Sequence, residues 1–140
     1  MSVLEWLFGR RRLASRKLGV RGERRAAWFY RLRGYRVLER NARHRAAEAD
    51  LVLRRGRILV IAEVKARQSN AAGEGHEAVG VKKREKLIRM GDVYAARYPD
   101  CLLRYDIVSL TWTGRRFIVA HYPDAFRPMA DPQRPWIWRG

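Results

Sequence analysis

Two helices are predicted from the spacing of apolar residues. The first follows a basic arm over residues 10–25, and Glu23, Ala26 and Tyr30 recur on one side of it at helical spacing. Gly34 lies where this pattern stops, and glycine is the residue that most often follows a helix end. The segment therefore predicts a helix with one core-facing side.

The second helix is predicted from about residue 79 to residue 98. Val79, Lys83 and Leu87 are one turn apart and lie on one face of it. Pro99 follows immediately, as expected just beyond a helix end. Lys83 thus shares a face with two apolar residues.

Runs of β-branched and aromatic residues predict five strands. They cover residues 35–40, 49–54, 57–66, 101–112 and 115–122. Residues 41–48 are predicted to form a polar, basic loop, and Arg55-Gly56 and Thr113-Gly114 to be hairpin turns. Helix, three strands, helix, two strands is the order of an α/β fold with a mixed sheet.

The third strand carries an unusual pair of charges. Residues 59–68 read LVIAEVKARQ, an apolar run that ends with Glu63 and Lys65 on either side of Val64. Because strand side chains alternate between faces, Glu63 and Lys65 point the same way.

The predicted hairpin brings further acidic residues to these charges. With Arg55-Gly56 as its two-residue loop, Asp50 pairs with Ile61, and Glu48 with Glu63. Directly opposed residues share a face, so the three carboxylates project from the same side as the lysine. Like charges across a ladder are destabilising, and a compensating cation is therefore expected.

A divalent metal explains this crowding. Asp50 and Glu63 are expected to hold Mg²⁺ or Mn²⁺, which could activate water and grip a phosphodiester. Lys65 would stabilise developing negative charge or orient the water, and Glu23 could add a further carboxylate. The alternative is an exposed, salt-bridged strand end, with Glu23 an ordinary acidic residue near a helix start.

The net charge indicates a polyanionic partner. Lys and Arg number 31 against 14 Asp and Glu, which gives 31 − 14 = +17. Nucleic acid is the first candidate and an anionic membrane surface the second, while charge that serves only solubility is the alternative. The longest fully apolar run is five residues, so no membrane crossing is expected. The lone Cys101 predicts a reducing, cytoplasmic location and excludes an internal disulfide.

Several spaced motifs in order resemble one known family. Residues 21–67, together with VKKREKL, RYDIV and HYPDAF, resemble the YraN family of small bacterial proteins over residues 19–126. That family belongs to the restriction-endonuclease-like, or PD-(D/E)xK, nuclease superfamily. The resemblance implies a mixed four- or five-stranded sheet flanked by helices, and Mg²⁺-dependent cleavage of DNA.

The resemblance also implies roles for individual residues. The superfamily's metal ligands fall on Asp50 and Glu63, its catalytic lysine on Lys65, and the helical glutamate of Holliday-junction resolvase relatives on Glu23. Four other positions are typical of the family, namely Asn41, Arg43, Glu48 and Arg67. The chain departs from the family at 47–50, where Ala-Glu-Ala-Asp replaces the usual Gly-Glu-Ile-Asp.

Together these features predict a Mg²⁺-dependent endonuclease acting on DNA, with branched or structured DNA among the candidate substrates. The predicted units are a basic arm over residues 1–18, an endonuclease-like domain over 19–126 and an irregular tail over 127–140. The residues expected to contact nucleic acid are Arg10, Arg11, Arg12, Arg16, Lys17, Arg43, Arg45, Arg67, Lys82 and Lys83.

Two other classes of protein fit the same sequence. One is a catalytically silent nucleic-acid-binding module, and the other is a basic protein that docks on an acidic partner. A homodimer would suit a two-fold symmetric junction, although the chain carries no oligomerisation motif.

A few polar residues are expected to have structural roles. His44, His76 and His121 have no metal-ligand spacing, so surface or core placement is expected for them. Asp106 interrupts an apolar strand, which predicts a structural salt bridge first and a role beside the site second.

Overall fold

The computed structural model describes residues 2–69 and 79–128, except the side chains of residues 8 and 10–13. In chain order the elements are α1 (Val3–Arg31), β1 (Arg36–His44), β2 (Ala47–Arg55), β3 (Ile58–Gln68), α2 (Val81–Arg97), β4 (Leu102–Trp112) and β5 (Phe117–Tyr122). Residues 70–78, which include His76, and residues 129–140 lie outside the described residues.

The five strands form one mixed sheet in the order β1-β2-β3-β4-β5. Strands β3 and β4 are parallel and connected through α2, whereas the other neighbours are antiparallel. The predicted mixed α/β sheet flanked by helices is therefore confirmed. Among the helices in the described part, none is long and apolar enough to cross a membrane.

The core has one layer on each face of the sheet. On one side, Ala26 and Tyr30 of α1 pack against Leu51, Val60 and Leu110. On the other, α2 and the opposite strand side chains form a second buried cluster, which contains Leu59, Ile61, Leu87, Met90 and Tyr105. Residues that alternate along β3 thus serve opposite layers, as a central strand requires.

Helix α1 extends further towards the N-terminus than the sequence predicts. Ser2 and Glu5 form a capping box, in which each side chain bonds the backbone of the other residue, and the helix begins at Val3. The predicted basic arm is therefore helical. At the other end the helix stops at Arg31, and Gly34 adopts a φ of 85°, which confirms its expected role.

The predicted loop over residues 41–48 is wrong, because most of it is strand. β1 continues to His44 and pairs with β2, with Ala42 opposite Ala49 and His44 opposite Ala47. Because β1 lies at the edge of the sheet, its polar side chains can face solvent while its backbone remains paired with β2. Asn41 and Arg45 take positive φ values of 49° and 52°, and asparagine tolerates that conformation better than most residues.

The register of the β2–β3 hairpin also differs from the prediction. Arg55 pairs with Ile58, and Arg54 with Leu59, so the two turn residues are Gly56 and Arg57. Gly56 has a φ of 57°, a left-handed conformation that glycine adopts without steric cost. The turn is centred one residue later than expected, and each pairing on β3 moves by two residues.

Asp106 forms the expected structural salt bridge. It is fully buried in β4 and accepts hydrogen bonds from Arg104 Nε and Nη2, both at 2.8 Å. Tyr30 of α1 and His121 of β5 also contact its carboxylate. His121 therefore lies in a buried polar network, as expected for a core histidine.

Candidate functional site

The two carboxylates of the site lie where β2 and β3 separate. The ladder between these strands ends at the pair Leu51–Ala62, and the next step along it places Asp50 across from Glu63. Beyond that point Asp50 Oδ2 accepts a 2.7 Å hydrogen bond from the backbone N–H of Val64. The strands thus hold Asp50 in a defined orientation beside Glu63.

The observed register changes which residues oppose one another. Asp50 was predicted to pair with Ile61, and Glu48 with Glu63, and both pairings are wrong. Because the shift is two residues, every side chain stays on the face predicted for it. The correction brings Asp50 directly to Glu63, and Glu48 lies beyond the paired part of the two strands.

Glu63 is an unusually buried carboxylate. Only 8% of the residue is exposed, and its Oε2 atom is buried without a hydrogen-bond partner. Burial first, and then the charge of Asp50, raise its pKa to about 8, against a lowering effect of Lys83. A pair of carboxyls in this environment resists double ionisation unless a cation compensates it.

Lys83 reaches this pair from the first turn of α2. Its Nζ atom lies 2.8 Å from Glu48 Oε1 and 3.6 Å from Glu63 Oε1. Burial opposes its charge, but the hydrogen bond to Glu48 and the surrounding carboxylates raise the pKa of Lys83 above the ordinary value. Lys86 also lies 3.5 Å from Glu48 Oε2. Lys83 therefore belongs to the site. Its position one turn from Leu87, on the apolar face of α2, could have indicated this placement.

Glu48 serves as the partner of these lysines. The hydrogen bond from Lys83 lowers the pKa of Glu48, against a smaller opposing effect of burial. Lys86 and Arg43 lower it further. Glu48 is thus an ionised anchor for α2.

Glu23 approaches the site from the opposite helix. Its neighbour Gly22 packs so closely on β3 that a Cβ atom there would lie 2.6 Å from the Cβ of Ala66. Burial, followed by the charge of Asp50, raises the pKa of Glu23, while a hydrogen bond with Asn41 lowers it. Glu23 therefore lies within electrostatic range of Asp50, and its role as a metal ligand stays a prediction.

Lys65 is half-buried on β3, two residues beyond Glu63. The alternation of the strand places both side chains on one face. The positive charge of Lys65 thus follows Glu63 on the same face of β3.

The donor set suits a magnesium ion better than a metal that needs many protein ligands. Within residues 2–69 and 79–128, no group of three or more His, Cys, Asp or Glu side chains is arranged to hold a metal. Mg²⁺ commonly takes only one or two carboxylates and completes its shell with water and phosphate oxygens. Asp50 and Glu63, with the unpartnered Oε2 of Glu63, fit that requirement.

The predicted phosphate contacts occupy several surfaces. Arg16 and Lys17, with Val20 and Arg21, line an open pocket of about 380 Å³ on α1. Arg21 was not predicted, and its guanidinium stacks 4.2 Å above the ring of Trp112.

Other predicted contacts are distributed along the sheet and α2. Arg43, Arg45 and Lys82 are exposed, whereas Arg67 is half-buried on β3. The side chains of Arg10, Arg11 and Arg12 lie outside the described residues. Nucleic-acid binding by this whole set stays a prediction.

Comparison with known proteins identifies the family. The model of the uncharacterised protein family UPF0102 matches residues 22–110, which run from the C-terminal third of α1 to near the end of β4. The chain belongs to UPF0102. This family is the YraN family, so the resemblance seen in the sequence is confirmed.

Similar UPF0102 proteins occur in several bacteria. The UPF0102 protein STH1475 of Symbiobacterium thermophilum is 40% identical over 69% of this chain and 83% of its own length. UPF0102 proteins of Parvibaculum lavamentivorans and Geobacter metallireducens are 41% and 34% identical, over 83% and 81% of this chain and 86% and 95% of their own. These matches span most of the domain that carries the carboxylates.

Proposed function

We propose that this UPF0102 protein is a Mg²⁺-dependent endonuclease that hydrolyses phosphodiester bonds in DNA, with branched or structured DNA as the favoured substrate. The pair formed by Asp50 and Glu63 carries the proposal. Two adjacent carboxyls, one of them buried with an unpartnered oxygen and a pKa of about 8, would be stabilised by a divalent cation bound between them. Such strongly perturbed groups cluster at functional sites.

Asp50 and Glu63 are the residues that would hold the metal. The backbone N–H of Val64 donates a hydrogen bond to Asp50 Oδ2, which holds that carboxylate in place beside Glu63. Glu63 Oε2 has no hydrogen-bond partner, so it could bind a metal ion without first losing another bond. When bound, a divalent cation would neutralise charge on the phosphate and make nearby water more acidic.

Lys65 and Glu23 complete the proposed machinery. In hydrolysis, the water oxygen bonds to phosphorus and gives up a proton, while the bond to the leaving strand breaks and its oxygen gains a proton. Lys65, on the face of Glu63, would orient the water and stabilise charge on the phosphate. Glu23 would tune the site through its charge, since it already interacts electrostatically with Asp50.

The decisive experiment is cleavage of linear, nicked and four-way-junction DNA under titration with Mg²⁺ and Mn²⁺. We expect the wild-type protein to cut at least one substrate, and Glu63→Gln and Asp50→Asn to lose that activity. Glu85→Gln is the matched control, because it removes one carboxylate charge from an exposed position of α2. Lys65→Ala should reduce cleavage about 100-fold or more without weakening DNA binding.

A nucleic-acid-binding module without catalysis is the second candidate. The observation in its favour is that Lys83 already supplies a positive charge 3.6 Å from Glu63. That function predicts DNA binding with a steep salt dependence, no binding of divalent metal and no cleavage of any substrate in the panel.

A further inference from the structure

We infer that Lys83 is the resident counter-ion of the carboxylate pair and competes with a divalent cation for Glu63. The inference deepens the proposed function and rests on it. Its basis is the bridge in which one ammonium group lies between Glu48 and Glu63, at 2.8 Å and 3.6 Å.

The position of Lys83 on α2 is unfavourable for the helix alone. The first turn of α2 has no acidic residue, and Gly80 at the N-cap provides no side-chain hydrogen bond. The positive end of the helix dipole disfavours a lysine there. The contacts of Lys83 with the carboxylates offset this cost. These contacts therefore explain why a lysine occupies this position.

The attachment of Lys83 is asymmetric. Glu48 holds it with a short hydrogen bond and is itself ionised, whereas the contact with Glu63 is longer. Buried Leu87 and Met90 anchor the helix that carries it. The flexible lysine stem can therefore leave Glu63 while its ammonium stays on Glu48.

A metal ion on Glu63 would meet repulsion from this ammonium. At separations of a few ångströms, like charges interact strongly in a partly buried site, and a divalent ion doubles the effect. Lys83 thus lowers the affinity of the pair for metal and stabilises the carboxylates when metal is absent.

The test is calorimetric titration of Mn²⁺ into the wild-type protein, Lys83→Met and Lys82→Met, without DNA. Lys82 is the matched control, because it is adjacent and exposed, and its loss removes the same charge. We expect Lys83→Met to bind Mn²⁺ about tenfold more tightly than Lys82→Met. Lys83→Gln, which keeps a polar side chain, should show the same direction and guards against misfolding of the methionine variant.

The outcomes separate this inference from the proposed function. Tighter binding in Lys83→Met, or binding in that variant alone, supports the counter-ion role. Equal or weaker binding than in Lys82→Met overturns it and leaves the nuclease proposal intact. If none of the proteins binds Mn²⁺, both are overturned.

A second, independent inference concerns the opposite end of the sheet. We propose that four arginines there form a nucleic-acid backbone surface, here called the arginine end. They lie in the connection after α1, at the end of β2 and in the turn that follows β2, and they are Arg33, Arg54, Arg55 and Arg57. None of them forms an ion pair with a carboxylate within the part of the chain that the structure describes.

Aromatic rings and main-chain carbonyls hold these guanidinium groups in place. Arg33 lies 3.5 Å above Phe29, and Arg55 lies 4.4 Å above Tyr35 while donating to Arg33 O. Arg57 donates to Asp100 O. Contacts of this kind orient the groups without neutralising their charge, which leaves them suited to phosphate.

The arginine end is separate from the carboxylates. Glu63 lies five residues further along β3 than Ile58, which is beside the arginine end, and this separation is about 17 Å along the strand. That span matches about five base pairs of one duplex.

The test measures DNA affinity against salt concentration for Arg33→Gln/Arg55→Gln. We expect the slope of log affinity against log salt to fall by about two, because each phosphate contact contributes about 0.9. The control Arg24→Gln/Arg89→Gln removes the same charge from exposed positions on the two helices and should retain the wild-type slope. Arg33→Lys/Arg55→Lys keeps the charge and should retain most of the slope. An equal loss in the control, or an unchanged slope in the first variant, overturns the proposal.

Discussion

Tyr30 donates a 2.8 Å hydrogen bond to Asp106, joining the C-terminal end of α1 to the middle of β4 across 76 residues of sequence. The same carboxylate accepts from Arg104, so a buried ion pair is linked to a buried hydroxyl. Breaking a buried pair leaves an uncompensated charge, which costs far more than losing an exposed one.

Asp106→Asn is therefore expected to lower the free energy of unfolding by about 3–5 kcal/mol, because the buried charge of Arg104 loses the carboxylate that compensates it. Urea denaturation at pH 7 measures the change. Asp100→Asn, at an exposed position, is the control and should stay within about 0.5 kcal/mol of wild type. A loss below 1 kcal/mol in Asp106→Asn would contradict the assignment.

The same network predicts a loss of stability in acid. Burial alone would raise the pKa of Asp106, but hydrogen bonds from His121 and Arg104 hold it below the ordinary value of 3.8. The stabilisation is thus complete above about pH 4 and is lost as the pH falls through the folded-state pKa. The difference in stability between wild type and Asp106→Asn should be smaller at pH 3 than at pH 6. A constant difference would show that Asp106 does not titrate as described.

The contact of Gly22 with Ala66 predicts opposite effects at two glycines of α1. Gly22→Ala would place two Cβ atoms 2.6 Å apart and should destabilise by about 1–3 kcal/mol. Gly19→Ala meets nothing within 4 Å and should stabilise by up to about 1 kcal/mol through helix propensity.

Thermal unfolding of both glycine variants tests this contrast. Ala66→Gly added to Gly22→Ala should recover part of the loss, because it removes the opposing atom. Equal effects of alanine at both positions would rule out the close contact.

Glu63→Gln is expected to stabilise the metal-free protein by about 1 kcal/mol at pH 9, above the pKa of about 8. The amide removes a buried charge beside Asp50 and can donate to that carboxylate. The control Glu85→Gln should change stability by less than about 0.5 kcal/mol. If the wild-type site is less stable because it is built to bind metal, Glu63→Gln should gain stability and lose affinity for Mn²⁺. A loss of stability in Glu63→Gln would contradict this explanation.

Local backbone geometry made much of the site predictable from sequence. The alternation of side chains along β3 places Glu63 and Lys65 on one face whatever surrounds the strand. Helical spacing likewise placed Lys83 on the apolar face of α2, next to Leu87. Such relationships depend only on the repeat of each element, so the sequence by itself determined them, along with the α/β order of the elements.

Tertiary structure decided the contacts that depend on register and packing. The left-handed φ of Gly56 centred the hairpin turn one residue later, and this moved Asp50 from Ile61 to Glu63. Pairing with β2 turned a polar loop into strand up to His44, because an edge strand can face solvent. The bridge from Lys83 to Glu48 arises because α2 packs on the sheet, and no spacing along a single element encodes a contact between two elements.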